Sequence, residues 1–139
     1  MNAIFLDTVG MLAIWNESDQ WHDAAEHAFA KLIATRVSVV TTSYVLLECG
    51  NATTRRPIRK SVVDWRIVMS ANGGLIFPGQ HDWEQAWEAY ARGEAGQAGI
   101  VDQVSFTVMR RLGIRQAFTN DEHFRAAGFE TLFLGSHPQ

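Results

Sequence analysis

A chain of 139 residues has the size of one ordinary domain, and 47% apolar with 19% charged residues is globular composition. Its formal net charge of −3 gives no overall attraction to polyanions, so any contact with nucleic acid must be local. The opening MNAIFLD has no basic leader, and no apolar run approaches the roughly 18 residues of a membrane span, which points to a cytoplasmic protein without membrane contact. The lone cysteine, Cys49, sits among apolar neighbours in YVLLECGNA and reads as a small buried side chain rather than a nucleophile.

Ala3 to Leu6 reads as a buried strand, and Thr8 to Trp15 continues at helical spacing. After the break NESDQ, the run from Trp21 to Arg36 puts Ala25, Ala28, Phe29 and Leu32 on one helix face. VSVVTT is a short β-branched strand, followed by SYVLLECGNAT with Tyr44, Leu47, Glu48 and Asn51 in helical register. Pro57 suits the first turn of the next helix, which runs to about Ala71, where NGG stops it before the strand LIFPG. HDWEQAWEAYARG is amphipathic, with Trp83, Trp87 and Tyr90 in line.

The glycine-containing EAGQAG precedes a further helix, IVDQVSFTVMRRL, which Gly113 is placed to cap. QAFTN reads as strand, DEHFRAAG as a short helix or turn, and ETLFL as the last strand. Strands alternating with helices, with no linker or repeat, predict one domain over 1–139. Its fold class is α/β, a three-layer αβα sandwich on a mostly parallel central sheet.

In open α/β sheets, sites form outside the carboxyl ends of the strands. Asp7 ends the first strand there, and Asp121 follows QAFTN directly. Glu48 in VLLECG and Asp102 in GIVDQVSF lie in otherwise apolar runs, where an unpaired carboxylate is costly. Each aspartate has a plain alternative as a helix cap or first-turn acid; Glu48 is the hardest of the four to explain in that way. Four converging acids repel one another unless a cation is present. With no Cys or His at ligand spacing, the oxygen set suits Mg²⁺ or Mn²⁺ better than Zn²⁺. The five histidines, His22, His27, His81, His123 and His137, read as surface groups or local turn partners.

The segments FLDT, VLLECGNA, GIVDQVSFTVMRRLGI and AFTNDEHFRAAGFETL, in this order over nearly the whole chain, resemble the PIN-domain ribonucleases. The likeness is greatest to the VapC-type toxins of bacterial type II toxin–antitoxin systems. The resemblance implies a metal-dependent endoribonuclease in which Asp7, Glu48, Asp102 and Asp121 are the catalytic and metal-holding residues, with Mg²⁺ or Mn²⁺ activating water against an RNA phosphodiester. It implies products with a 5′-phosphate and a 3′-hydroxyl, second contacts from Thr8, Ser105 and Thr119, and a cognate antitoxin as partner. Val9 departs from the Asn or Ser that many relatives carry at that place, and the approach to Asp102 is unusually glycine-rich, which leaves Glu94 as a further candidate.

Arg55, Arg56 and Arg59 in TRRPIRK form a candidate RNA-phosphate patch that also reads as a solvated helix start, and Arg110, Arg111 and Arg115 form a second such patch. Trp83 and Trp87 read by default as core, whereas Trp15, Trp21 or Trp65, if exposed, would suit a homodimer, which is expected, or an antitoxin segment. Two other classes compete with the nuclease. A phosphatase using an aspartyl-phosphate needs a second acid after Asp7 and a later lysine, and both are missing. A PIN-like module that binds RNA or antitoxin without cutting is left open by Val9.

Overall fold

A computed structural model describes residues 2–133. In chain order the elements are β1 (Ala3–Leu6), α1 (Thr8–Trp15), α2 (His22–Thr35), β2 (Ser38–Thr42), α3 (Ser43–Thr53) and α4 (Arg59–Ala71). They continue as β3 (Leu75–Ile76), α5 (Gln80–Ala91), α6 (Ile100–Leu112), β4 (Gln116–Phe118), α7 (Glu122–Ala126) and β5 (Glu130–Thr131). Every strand pair is parallel, in the order β3-β2-β1-β4-β5. The expected αβα architecture is therefore present, and no described helix is long and apolar enough to cross a membrane.

β1 lies at the centre, and its four residues are all buried, as a parallel strand covered on both faces requires. From β1 the chain builds outward through β2 and β3, then returns to the other side for β4 and β5. The direction of winding thus reverses between β1 and β4, and at such a switch the helices leaving the two strands diverge and open a crevice. Asp7 and Asp121 stand at the carboxyl ends of these two strands' segments, on either side of the switch.

α1 is apolar around most of its circumference and packs deep, with Gly10, Met11 and Ala13 buried. At Gly10 a Cβ atom would lie 2.2 Å from the Phe118 carbonyl oxygen, so only glycine lets α1 approach β4 this closely. The approach sets Asp7 beside Thr119. Phe5, Phe106, Phe118, Phe124 and Met109 fill the core below, with the Phe106 and Phe124 rings edge-on at 4.9 Å.

Several local expectations are corrected. Pro57 precedes its helix rather than lying in the first turn: Arg56 N–H closes a turn onto the Thr53 carbonyl, and α4 begins only at Arg59. The strands at both sheet edges are shorter than LIFPG and ETLFL, and Leu134 and His137 lie outside the described residues. Trp65 is buried and meets Trp15 edge-on at 5.4 Å, so these rings are core. Trp83, Trp87 and Tyr90 are instead 44%, 39% and 49% exposed. α5 turns its Asp82, Ala86 and Ala89 stripe inward, where small side chains allow close packing on α6. Arg111 grips Asp82 there through two 2.9 Å hydrogen bonds.

Candidate metal centre

The four acids come from four different elements. Asp7 occupies the N-cap position of α1, yet its side chain makes no capping hydrogen bond. Its Oδ2 instead accepts a 2.9 Å hydrogen bond from the Thr119 hydroxyl, which in turn accepts the Asp121 backbone N–H at 3.1 Å. One hydroxyl thereby ties the end of β1 to the turn after β4. Glu48, in the second turn of α3, accepts a 2.5 Å hydrogen bond from the Thr8 hydroxyl. Thr8 and Thr119 thus each donate to one of the four acids. Ser105 is fully buried one turn beyond Asp102, and its hydroxyl has no partner among the described residues.

Asp102 lies in the first turn of α6, where a negative charge favours the helix end, and Asp121 does cap α7 by accepting the His123 N–H at 2.9 Å. Capping therefore explains Asp121 in part, Asp102 in part, and neither Asp7 nor Glu48. No Lys or Arg is paired with any of the four among the described residues. Burial and then the charge of Asp102 push the Asp7 carboxyl up to about 8, against the pull of Thr119, with Asp121 and Glu48 adding to the rise. Burial followed by Asp121 and Glu48 pushes Asp102 up to about 6, opposed by a backbone hydrogen bond at Gly99. Carboxylates are concentrated here with His123 beside Asp121 as the one basic group paired with them among the described residues, and an oxygen donor set of this kind fits a hard divalent cation.

Beside these acids an open cleft of about 870 Å³ is lined by Val9, the Ala95–Gln97 loop, Asn120, Asp121 and His123. Val9 contributes an apolar wall where the resemblance leads one to expect a polar group. Glu94 is not brought to the acids: its carboxylate pairs with Arg92 at 3.2 Å, and its carbonyl accepts the Gln103 side chain. Two members of the second arginine patch have structural partners, since Arg111 holds Asp82 while Arg110 donates to the Ala127 carbonyl and lies over the Phe129 ring. Arg55, Arg56 and Arg59 are exposed after α3, with no ion pair among the described residues. Cys49 is buried beside Thr8, and burial pushes its thiol up to about 12, so it is no nucleophile at neutral pH.

The PIN domain model matches residues 4–130. The chain is a PIN-domain protein. It is 34% identical over 128 residues to the 23S rRNA-specific endonuclease VapC20 of Mycobacterium tuberculosis, in strains CDC 1551 / Oshkosh and ATCC 25618 / H37Rv, covering 91% of this chain and 95% of the relative. The crystal structure of VapC20, described as a sarcin-ricin loop cleaving toxin, superposes with a TM-score of 0.78 at 31% identity, over 91% and 95% of the two chains. Two more distant structures share the fold: DNA-bound VapBC from Salmonella typhimurium (TM-score 0.66, 12% identity, 94% and 97% covered) and FitAcB from Neisseria gonorrhoeae (0.64, 16%, 93% and 96%). The protein is thus a homologue of the VapC toxins, PIN-domain enzymes that are metal-dependent ribonucleases.

His123, expected as a surface group or local turn partner, is a turn partner: its Nδ1 lies 2.8 Å from Oδ1 of Asp121, the residue that caps α7.

The raised carboxyls have a definite pH signature. Between the ordinary aspartate value near 4 and the folded values of about 6 and 8, the folded chain holds protons that the unfolded chain has released. In chelator, therefore, stability is greatest at the acidic end of this window and falls as pH rises through it. Asp7→Asn keeps an acceptor for Thr119 and removes the charge. At pH 8 without metal it should melt higher than wild type by about 3–6 °C for each kcal/mol of repulsion removed, with a flatter pH slope. Equal melting curves for the two proteins from pH 5 to 8 would show that Asp7 carries no such repulsion.

Proposed function

We propose that this PIN-domain protein is a metal-dependent endoribonuclease, the toxin of a toxin–antitoxin pair acting in the cytoplasm. The observation that carries this reading is a set of four acids at the sheet's switch point, two of them pushed above their ordinary pKa, with no Lys or Arg paired to them among the described residues. Asp7, Glu48, Asp102 and Asp121 would hold Mg²⁺ or Mn²⁺. The ion supplies two things when bound, a lower pKa for an attacking water and a positive charge against the scissile phosphate.

The chain's own groups have distinct parts. Thr119 fixes Asp7 through Oδ2 and Asp121 through its backbone, so the two strand ends keep their spacing. Thr8 fixes Glu48 through Oε1 and leaves the other oxygen free of that bond. The open cleft lined by Val9, Asp121 and His123 would admit an RNA strand beside Asp121. Arg55, Arg56 and Arg59 would add phosphate contacts, since none is committed to an ion pair among the described residues. Similarity to VapC20 supports ribosomal RNA as the substrate class and the sarcin-ricin loop as the first RNA to try. The same likeness supports an antitoxin as partner.

The test is cleavage of a labelled sarcin-ricin hairpin with Mg²⁺, Mn²⁺ or chelator. Wild type should cut only with metal, and Asp102→Asn should lose at least about 100-fold in rate while still folding, because removing a group that acts only in catalysis costs on that order. RNA bound but uncut under every metal condition would replace the enzyme by a binding module. Metal-dependent cutting by Asp102→Asn would remove that residue from the centre.

Homodimerisation belongs to the same reading. Tyr44 of α3 meets Trp83, and Trp83, Trp87 and Tyr90 form an edge-on row along α5, beside Leu47, which is 70% exposed. A contiguous apolar face of this kind is depleted from monomer surfaces and suits the centre of an interface between two copies. Sedimentation at micromolar concentration should show a dimer that Trp83→Glu with Trp87→Glu converts to a folded monomer. A wild-type monomer, or a dimer unaffected by these changes, would contradict the assignment.

A further inference from the structure

We propose that His123 supplies a nitrogen ligand to the metal centre, making it a mixed nitrogen–oxygen site that prefers Mn²⁺ to Mg²⁺. The inference rests on the metal-dependent reading above and goes beyond its four acids. Ligand atoms of Asp102, Asp121 and His123 all lie within 4.8 Å of one another. A divalent ion with bonds of about 2.1 Å holds adjacent donors about 3.0 Å apart and opposite donors about 4.2 Å apart, so this triangle closes on one ion with only small movements. The 2.8 Å from His123 Nδ1 to Asp121 Oδ1 is close to one edge of such an octahedron.

The imidazole meets Asp121 Oδ1 at 2.8 Å, but the cap of α7 does not depend on that contact. Asp121 Oδ1 already receives the His123 backbone N–H at 2.9 Å, which completes the cap of α7 without the ring. The ring itself is 39% exposed and lines the open cleft beside Asp121, on the side from which solvent and substrate enter. By contrast the two acids of the centre outside this triangle each have an oxygen held by a threonine: Asp7 by Thr119 and Glu48 by Thr8. The other cluster of this kind among the described residues, His22 with Asp23 and Glu26, lies on one turn of α2, and the His22 Nδ1 is engaged with the Ala13 carbonyl.

The consequence is selectivity. Mg²⁺ demands oxygen donors and gains little from imidazole, whereas Mn²⁺ accepts nitrogen and oxygen together. Pulsed electron paramagnetic resonance on the full chain with bound Mn²⁺ reads the ligand directly, because a coordinated imidazole imprints ¹⁴N modulation on the echo. Wild type should show this modulation, and selective ¹⁵N-histidine labelling should change its frequency. His123→Asn should abolish it. By calorimetry the same variant should lose about 10-fold or more in Mn²⁺ affinity while Mg²⁺ affinity stays within about twofold. Mn²⁺ bound by wild type without ¹⁴N modulation would overturn the proposal and leave the four-acid reading intact, as would equal losses for both ions in the variant. Wild type that binds neither ion would overturn the metal reading itself, and this inference with it.

Discussion

Crowding of negative charge at the end of the central strand is the constraint from which the rest of the molecule follows. Asp7 is 2% exposed, is fixed by one hydroxyl, and has no cation beside it. A buried carboxylate in that condition is costly, and the chain meets the cost by protonation when empty and, on the proposed reading, by metal when loaded. The glycine at position 10 belongs to the same arrangement. Without its close approach to Phe118, α1 would stand off from β4 and the Asp7–Thr119 contact would open.

The topology explains why the acids come from so many places in the chain. A site at the switch between β1 and β4 is reached by the segments leaving those strands, by the helix that follows β2, and by the helix that leads into β4. Asp7 and Asp121 come from the first pair, Glu48 from α3 and Asp102 from α6. Four elements must dock correctly before the charges meet. Their repulsion therefore opposes the last stage of docking, which the phenylalanine core beneath the site offsets.

Much of this was legible in the sequence, for identifiable reasons. Asp7 and Asp121 could be placed because a strand end in a parallel sheet is a defined location, and Glu48 because it interrupts an apolar helix face with no capping role to excuse it. His123 was legible as a turn partner, but its nearness to Asp102 depends on how α7 docks against α6, not on any regular spacing. Trp83 and Trp87, expected in the core, are half exposed for a different reason. Periodicity shows that a helix face is apolar but not what covers it, and α5 carries a second stripe, one residue offset, whose alanines and Arg111-bound Asp82 fit α6 more closely. Glu94 drew attention by its place before Asp102, yet the loop geometry, with left-handed backbone at Gly93, Ala95 and Gly96, leaves its carboxylate on Arg92.

Locating the ion tests the account more directly than any rate does. Crystals of the chain grown or soaked with Mn²⁺ give an anomalous difference signal at the metal alone. The account predicts a peak bounded by Asp7, Glu48, Asp102 and Asp121 at the mouth of the cleft, absent from Asp7→Asn crystals under the same conditions. Saturating Mn²⁺ with no peak among these carboxylates, or a peak confined to His22, Asp23 and Glu26, would contradict it.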